Sequence, residues 1–462
     1  MRPQTRRLLA ALVAAMFFFT LAPPLSANPE GNNNGVSIGI AIDLMTLAKK
    51  KKKTSTATTP RKAKTTVAKP AKKKPVPKIA ASRKRIPPAS ETRFRRDEVL
   101  FILKPTAPET ALDAVIAAQS LTRIAEAELV TIQRTVHRYA ITDGRSVAQM
   151  VAALEADPNV EQAQPNYIYE LAETATTGMT NLQYAHKQLR VADAHKLVTG
   201  ANVVVAVIDS RVDTTHPALA TAIRASYSSV DTPSDGPDGH GTAMAGAIAA
   251  QGLLMGIAPN ADLLVAECFS KDGEGRMNGV SYNILKSVDW AYGQSAAIQN
   301  LSFAGPRDPM LSRLMREATD KGVVFFAAAG NAGPKSAPLY PGADPSAIAV
   351  TAVDKAEAVF ARANRGGHIA VAAPGVDVVV LAPGNSAGFT TGTSVATAHV
   401  SGLAALAIEQ AGKLDVKQFR ALLKASARKL KAPRDAVGAG VADAVRLLEQ
   451  TVLDQSKTAQ QQ

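Results

Sequence analysis

The sequence predicts an α/β protein: a large three-layer domain with a mostly parallel sheet, preceded by a small α+β domain. Two patterns carry this. From about residue 183 onward, near-continuous apolar runs at 203–208, 263–266, 297–301, 323–327 and 348–350 alternate with helical spacing. Strands that are apolar on both sides belong to parallel sheets covered by helices on each face. Between residues 97 and 171 the elements are shorter, and one strand alternates apolar with polar residues. With 462 residues, two folded units plus connections are expected. Hydrophobic residues make up 46% but aromatics only 5%, so Ala and Val must fill closely packed layers.

In the smaller unit, 98–104 reads as a strand and 109–120 as a helix. Residues 134–141 alternate like a half-buried strand, and 160–169 form another. The helix over 146–156 opens on Ser146 with Gln149 three residues later, the spacing of a capping box. A further strand is expected near 127–132. Strand-helix-strand-helix-strand over about 75 residues fits a ferredoxin-like α+β unit.

What precedes it does not pattern as a fold. Arg2, Arg6 and Arg7, an apolar run over 8–22 and small residues to Ala27 read as a cleavable export signal, residues 1–27. The run falls short of the roughly 20 residues that span a bilayer; an uncleaved anchor is the alternative. A secreted or periplasmic protein is therefore expected. Residues 28–96 hold an unassigned apolar stretch at 35–48 and a linker rich in Lys, Ala, Thr and Pro. Residues 49–96 carry 19 Lys or Arg against one acid, Glu91, so the net +14 of the chain leaves the remainder at −4. The linker is expected to be a solvated spacer with a possible affinity for anionic surfaces. No aromatic residue interleaves its lysines, so no specific nucleic acid is implied. Cys268 is the one cysteine; it precludes an intrachain disulfide and sits in an apolar run that suits a buried packing residue.

Ligands bind at the carboxyl ends of strands in such sheets, and there three groups stand out. Asp209 follows the run 203–208, His240 lies in Asp238-Gly-His-Gly-Thr242, and Ser394 lies in Thr391-Gly-Thr-Ser394 before an apolar helix. Singly, each has an ordinary reading as a turn residue, a helix-entry residue or an N-cap. Together they supply a nucleophile, a base and an orienting acid. Asn331, at the Gly-Asn turn closing 324–331, adds an amide able to hold an oxyanion, with the N–H of Ser394 as a second donor.

The order Asp, His, Ser and the segments Val205-Ala-Val-Ile-Asp-Ser210, His240-Gly-Thr242, Gly256-Ile-Ala-Pro259, Asn300-Leu-Ser302, Ala329-Gly-Asn331, Tyr340-Pro-Gly342 and Gly392-Thr-Ser394 resemble the subtilase family of serine proteases. The resemblance runs from about 183 to 447, within a catalytic domain at 183–450 followed by a polar tail, 451–462. The unit at 97–171 resembles an inhibitory propeptide, with 172–182 as a processing linker. It implies a zymogen of a serine endopeptidase without cofactor or metal, whose partners are polypeptide substrates and its own propeptide. A catalytically silent binding or chaperone module is the alternative. By the same carry-over Asp209 orients, His240 is base then acid, Ser394 attacks and Asn331 holds the oxyanion. An extended substrate would add as a strand between Asp272-Gly-Glu-Gly275, contributing Gly273 and Gly275, and Ser302, Phe303, Ala304 and Gly305. Ala304, Ala328, Ala329, Gly330 and Leu339 would wall a shallow pocket for small or medium apolar residues.

The chain departs from the family pattern at four places. Arg211 stands where Gly is usual, and could stabilise Asp209, crowd the cleft or bind acidic substrate residues. Ala243 and Ala398 replace the His and Pro that usually follow the His and Ser motifs; both read as packing changes. Residues 251–255 form an apolar stub where many relatives carry a calcium loop. Calcium takes six to eight oxygens, so that site is expected to be absent and Asp213, one of its usual ligands, to act as a local cap.

Overall fold

The computed structural model describes residues 86–88, 90–171, 174–175 and 183–459. The export signal, the apolar stretch and the linker up to residue 85 lie outside them, as does most of the processing linker. The small unit is β1 (Phe94–Leu103), α1 (Ala111–Gln119), β2 (Leu121–Leu129), β3 (Arg134–Ile141), α2 (Val147–Glu155) and β4 (Val160–Leu171). Its strands run in the order β2-β3-β1-β4, all antiparallel. Period-two alternation sorts β1 between two cores. Val99 and Phe101 pack with Val147, Met150 and Leu154 under α2, while Leu100 and Ile102 face the large domain. The capping box is formed: Ser146 Oγ accepts from Gln149 N, and Gln149 Oε1 accepts from Ser146 N at 2.9 Å. β1 starts three residues before Asp97, where exposed Arg95 and Arg96 hide the strand period. β2 starts at Leu121, ahead of the expected stretch, because its outer face is Thr, Arg and Glu.

The remaining chain runs β5 (Thr174–Ala175), α3 (Tyr184–Leu189), α4 (Val191–Ala194), β6 (Val204–Ser210), β7 (Ile223–Ser228), α5 (Gly239–Ala249), β8 (Asp262–Lys271), β9 (Met277–Val280), α6 (Ser281–Gly293), β10 (Ile298–Leu301), β11 (Phe303–Ala304), α7 (Pro309–Asp320) and β12 (Val324–Ala328). It continues through β13 (Ala347–Val353), β14 (Ile369–Pro374), β15 (Val378–Ala382), β16 (Ser386–Thr391), α8 (Thr393–Ala411), α9 (Val416–Ser426), α10 (Arg434–Val437) and α11 (Ala444–Ala459). The expected polar tail is thus helical to Ala459; Leu447 and Leu448 bury one side of α11 and Thr451 continues it.

The central sheet runs β14-β13-β12-β10-β6-β8 with every neighbour parallel. Both faces are covered, which explains the unbroken apolar runs. Val205 and Val207 join the core with α5 and α8, and Ala206 and Ile208 the core with α6 and α7. Cys268 is fully buried in the second of these.

β4 belongs to two units at once. Its first half pairs with β1; its end lies antiparallel between β9 (Ile168↔Val280, Tyr169↔Gly279, Glu170↔Asn278) and β11 (Phe303↔Leu171, Ala304↔Glu170). Polar residues of the small unit finish helices of the large one. α6 has no side-chain cap of its own, and Asn166 Oδ1 accepts from Tyr282 N at 3.1 Å in its first turn. Gln164 accepts from Met310 N at 2.9 Å and donates to Asp308 at 2.8 Å at the start of α7. Asp289 takes Val130 N at 2.8 Å and Thr131 N at 2.7 Å, and Lys321 donates to Thr131 O at 2.9 Å. A buried interface with its polar groups paired in this way holds both partners in one register.

Candidate active site

Asp209 is the penultimate residue of β6 and is fully buried. Its Oδ1 accepts from His240 Nδ1 at 2.6 Å and from Ser210 N at 2.7 Å. Burial pushes its carboxyl above the usual range, against the pull of His240 and the Ser210 N–H. His240 is the second residue of α5, whose N-cap is Asp238: the Asp238 Oδ1 accepts from His240 N at 2.9 Å. Gly241 is required because a Cβ there would stand 2.2 Å from Ser210 O. The Asp209–His240 bond fixes which ring nitrogen carries the proton toward the acid.

Ser394 is the second residue of α8, behind Gly392. Its Oγ donates to Ser302 O at 2.9 Å, and Ser302 Oγ donates to Ser394 O at 3.0 Å, tying α8 to the end of β10. Asn331 follows β12. Its Oδ1 accepts from Thr393 N at 3.2 Å and Thr393 Oγ1 at 3.0 Å. A backbone N–H can only donate, so the amide orientation is settled, and Nδ2 is left as a buried donor without a partner among the described residues. Such an orphan beside a helix start is suited to receive an anion.

Phe303 and Ala304 form β11, which pairs with the end of β4, with Ser302 and Gly305 on either side. Gly305 cannot carry a Cβ because the ring of Tyr169 would lie 2.4 Å away. Gly273 and Gly275 lie in an exposed turn closed by Asp272, and the strand that pairs with β4 is β9, where Asn278, Gly279 and Val280 do the pairing. The chain bends at 272–276, so the ladder starts only after it. Gly279 was the available signal: a Cβ there would meet Cys268 O at 2.9 Å. Ala328, Ala329 and Gly330 lie at the end of β12, and Leu339 Cδ1 would be 2.8 Å from a Cβ on Gly330, so Leu339 covers that glycine. A cavity of about 720 Å³ beside His240 is lined among others by Glu170, Leu171, Arg276 and Asn278.

Arg211 is bonded to a neighbouring loop and not to Asp209. Its guanidinium is exposed and donates to Ser234 O, in the loop that leads to Asp238. Asp213 ties its own turn through Thr215 N at 3.1 Å and Oγ1 at 2.7 Å, and accepts from Gly384 N at 2.9 Å. Burial would raise its carboxyl, but the Gly384 N–H and the two Thr215 donors outweigh it and hold the group below the usual range. Among the described residues no cluster of three metal-ligating side chains occurs. At the apolar stub, Gln183 donates to Met255 O at 2.7 Å and accepts from Met255 N at 3.3 Å, beside His186 and His399. Burial pushes both histidines down to about 4, His195 adding to the effect on His186. An unfolded chain protonates them near 6.5, so the stability they carry is complete above that pH and is lost as pH falls toward 4. The expected loss is up to about 3 kcal/mol per histidine. Urea unfolding of a Ser394→Ala protein, whose midpoint should fall between pH 6.5 and 4, checks this, with recovery in His399→Gln. The thiol of Cys268 is pushed well up by burial, Asp209 adding to the effect, which makes it unreactive.

Residues 200–440 match the model of the subtilase family, and residues 80–166 match the fervidolysin N-terminal prodomain. The chain belongs to the subtilase family of serine proteases, with a propeptide ahead of the protease domain. It is 33% identical over 287 residues to subtilisin E of Bacillus subtilis (strain 168), covering 60% of this chain and 72% of that protein. It is 32% identical over 311 residues to the thermophilic serine proteinase of Bacillus sp. (strain AK1), covering 65% and 76%. The fold is that of fervidolysin from Fervidobacterium pennivorans, a keratinolytic enzyme related to subtilisin, with a TM-score of 0.66 at 23% identity. That likeness covers 77% of this chain and 61% of that one.

Proposed function

We propose that this protein is an exported serine endopeptidase made as a zymogen, with Asp209, His240 and Ser394 as its triad and Asn331 in its oxyanion hole. The observation that carries the reading is the path of β4, which enters the position of a substrate strand between β9 and β11. The chain then reappears in β5, paired with β16 through Thr174↔Thr391, two residues before the start of α8. A cleft entered from one side and left on the other holds the chain as a peptide to be cut.

In the reaction, Ser394 Oγ bonds to the carbonyl carbon as its proton passes to His240 Nε2. Asp209 holds the imidazolium, and Asn331 Nδ2 with the Ser394 N–H takes the oxyanion. The C–N bond then breaks, His240 protonates the leaving amine, and water repeats the sequence on the ester. Asn331→Ala is expected to lower kcat on the order of 10²–10³ with KM little changed, as for the matching donor of subtilisin, a relative. Steady-state kinetics on a peptide substrate checks it.

The pairings on both sides bracket the bond. The described pairing of β4 with β11 ends at Phe303↔Leu171, next to Ser302, whose carbonyl accepts from Ser394 Oγ. We therefore expect self-cleavage just past the end of β4, between Ala172 and Glu173. N-terminal sequencing of the mature enzyme should read Glu173-Thr-Ala-Thr-Thr177; a start at 178 or beyond would refute this register. After the cut the propeptide domain, residues 97–171, stays attached through the Asn166, Gln164 and Asp289 contacts as an inhibitor. The catalytic domain is residues 183–450 with α11 completing it. Export by residues 1–27 places the enzyme outside the cell or in the periplasm, and among the described residues no helix is long and apolar enough to cross a membrane. The linker at 28–96 serves as a spacer with affinity for anionic surfaces.

A further inference from the structure

We propose that Asp238 is a positioning residue for the reaction, acting on Asp209 through the hydroxyl of Ser210. This rests on the triad reading above. The Ser210 Oγ lies 2.7 Å from Asp238 Oδ1 and 3.3 Å from Asp209 Oδ1, and it accepts from Gly241 N at 3.0 Å. A hydroxyl has one hydrogen. With Gly241 on a lone pair and Asp238 the nearer carboxylate, that hydrogen goes to Asp238 and not to Asp209.

The consequence falls on the acid of the triad. Asp209 Oδ1 is left with His240 Nδ1 and one backbone N–H, and its Oδ2 is buried without a partner among the described residues. A carboxylate with few other donors concentrates its charge on the one ring it touches. Asp238 therefore keeps Asp209 a strong partner for the imidazolium by drawing the Ser210 proton away. The same Oδ1 of Asp238 caps α5 and accepts from His240 N at 2.9 Å, so one carboxylate fixes both the backbone of the base and the charge of its acid.

Other charged and titratable groups around this pair act from elsewhere. Cys268 and Glu267 lie on β8 beside Asp209, Arg211 is turned to Ser234 O, and Glu170, Asp272 and Arg276 line the cavity beside His240. The Ser210 hydroxyl oxygen has Asp209, Asp238 and Gly241 within reach, and donates only to Asp238.

The test is the pH profile of kcat/KM of matured enzyme. Asp238→Asn keeps a capping side chain but offers a neutral acceptor, so the hydroxyl turns to ionised Asp209; Asp238→Gly removes the acceptor at little cost to the cap. The acid limb should move to lower pH by about 0.5 unit or more in either variant. Through-space loss of charge would do the same, so both changes are repeated in a Ser210→Ala background. A shift at least halved there supports the relay. A shift that persists at more than half its size, or no shift in either single variant, overturns it. Should one Asp238 variant fail to mature, the other decides. Activity that survives Ser394→Ala would instead overturn the triad, whereas a Ser394-dependent enzyme with an unmoved acid limb overturns only the role of Asp238.

Discussion

Ser394→Ala is expected to lower kcat on the order of 10⁶, as removal of the serine does in subtilisin, a relative. It should also leave the precursor uncut and abolish labelling by a fluorophosphonate probe. The reasoning is geometric. The hydroxyl lost sits at the start of α8, and the end of β4 and β5 pair with β11 and β16 on either side of it, while the neighbouring Thr393 hydroxyl is bonded to Asn331 Oδ1. The fold should survive, because Ser302 Oγ still donates to the residue 394 carbonyl and the helix loses one hydrogen bond, worth about 1 kcal/mol. Asn331 and the cleft remain, so a residual rate of roughly 10³ over water is expected. Retention of substantial activity, or maturation at the normal rate in the absence of active enzyme added in trans, would point to a different nucleophile.

Asp209→Ala is expected to lower kcat on the order of 10⁴ with KM little changed, again as in subtilisin. Asp209 is fully buried and makes the 2.6 Å bond to His240, so its removal frees the ring to take either tautomer and leaves the imidazolium without a counter-charge. Asp209→Asn should lose less than Asp209→Ala here. Both donors to Asp209, Ser210 N and His240 Nδ1, reach the same oxygen, Oδ1. An amide can present its carbonyl there and place its NH₂ at the unpartnered Oδ2 position, keeping the tautomer while losing the charge. Comparing kcat for the two variants separates orientation from charge; an Asn variant as weak as the Ala variant would show that charge carries nearly all of the effect.

Much of this was legible in the chain because it depends on local or periodic signals. The parallel strands could be read because burial on both faces leaves unbroken apolar runs, as at 203–208. The capping box at Ser146 involves residues three apart and formed as expected. β9 was missed because its four residues, Met277–Val280, carry no periodicity, and its role comes only from lying beside β4. The segment expected to pair there, with Gly273 and Gly275, lies a few residues ahead of the strand that pairs with β4. The start of β1 was likewise hidden, since Arg95 and Arg96 are exposed in a strand held by its partner.

Asp209, His240, Ser394 and Asn331 were identifiable by residue type, strand-end position and neighbouring sequence. What the sequence determined by itself was the family, the fold class and these candidates, because short-range chemistry and apolar periodicity are written along the chain. Only the tertiary structure decided where the Arg211 guanidinium is held, that Asn331 Nδ2 is left over by the donors on its other end, and that the Ser210 hydroxyl lies nearer Asp238 than Asp209. Each depends on groups brought together from distant positions, where differences of a few tenths of an ångström select one acceptor over another. Such differences are set by packing of the whole, and no local stretch of sequence contains them.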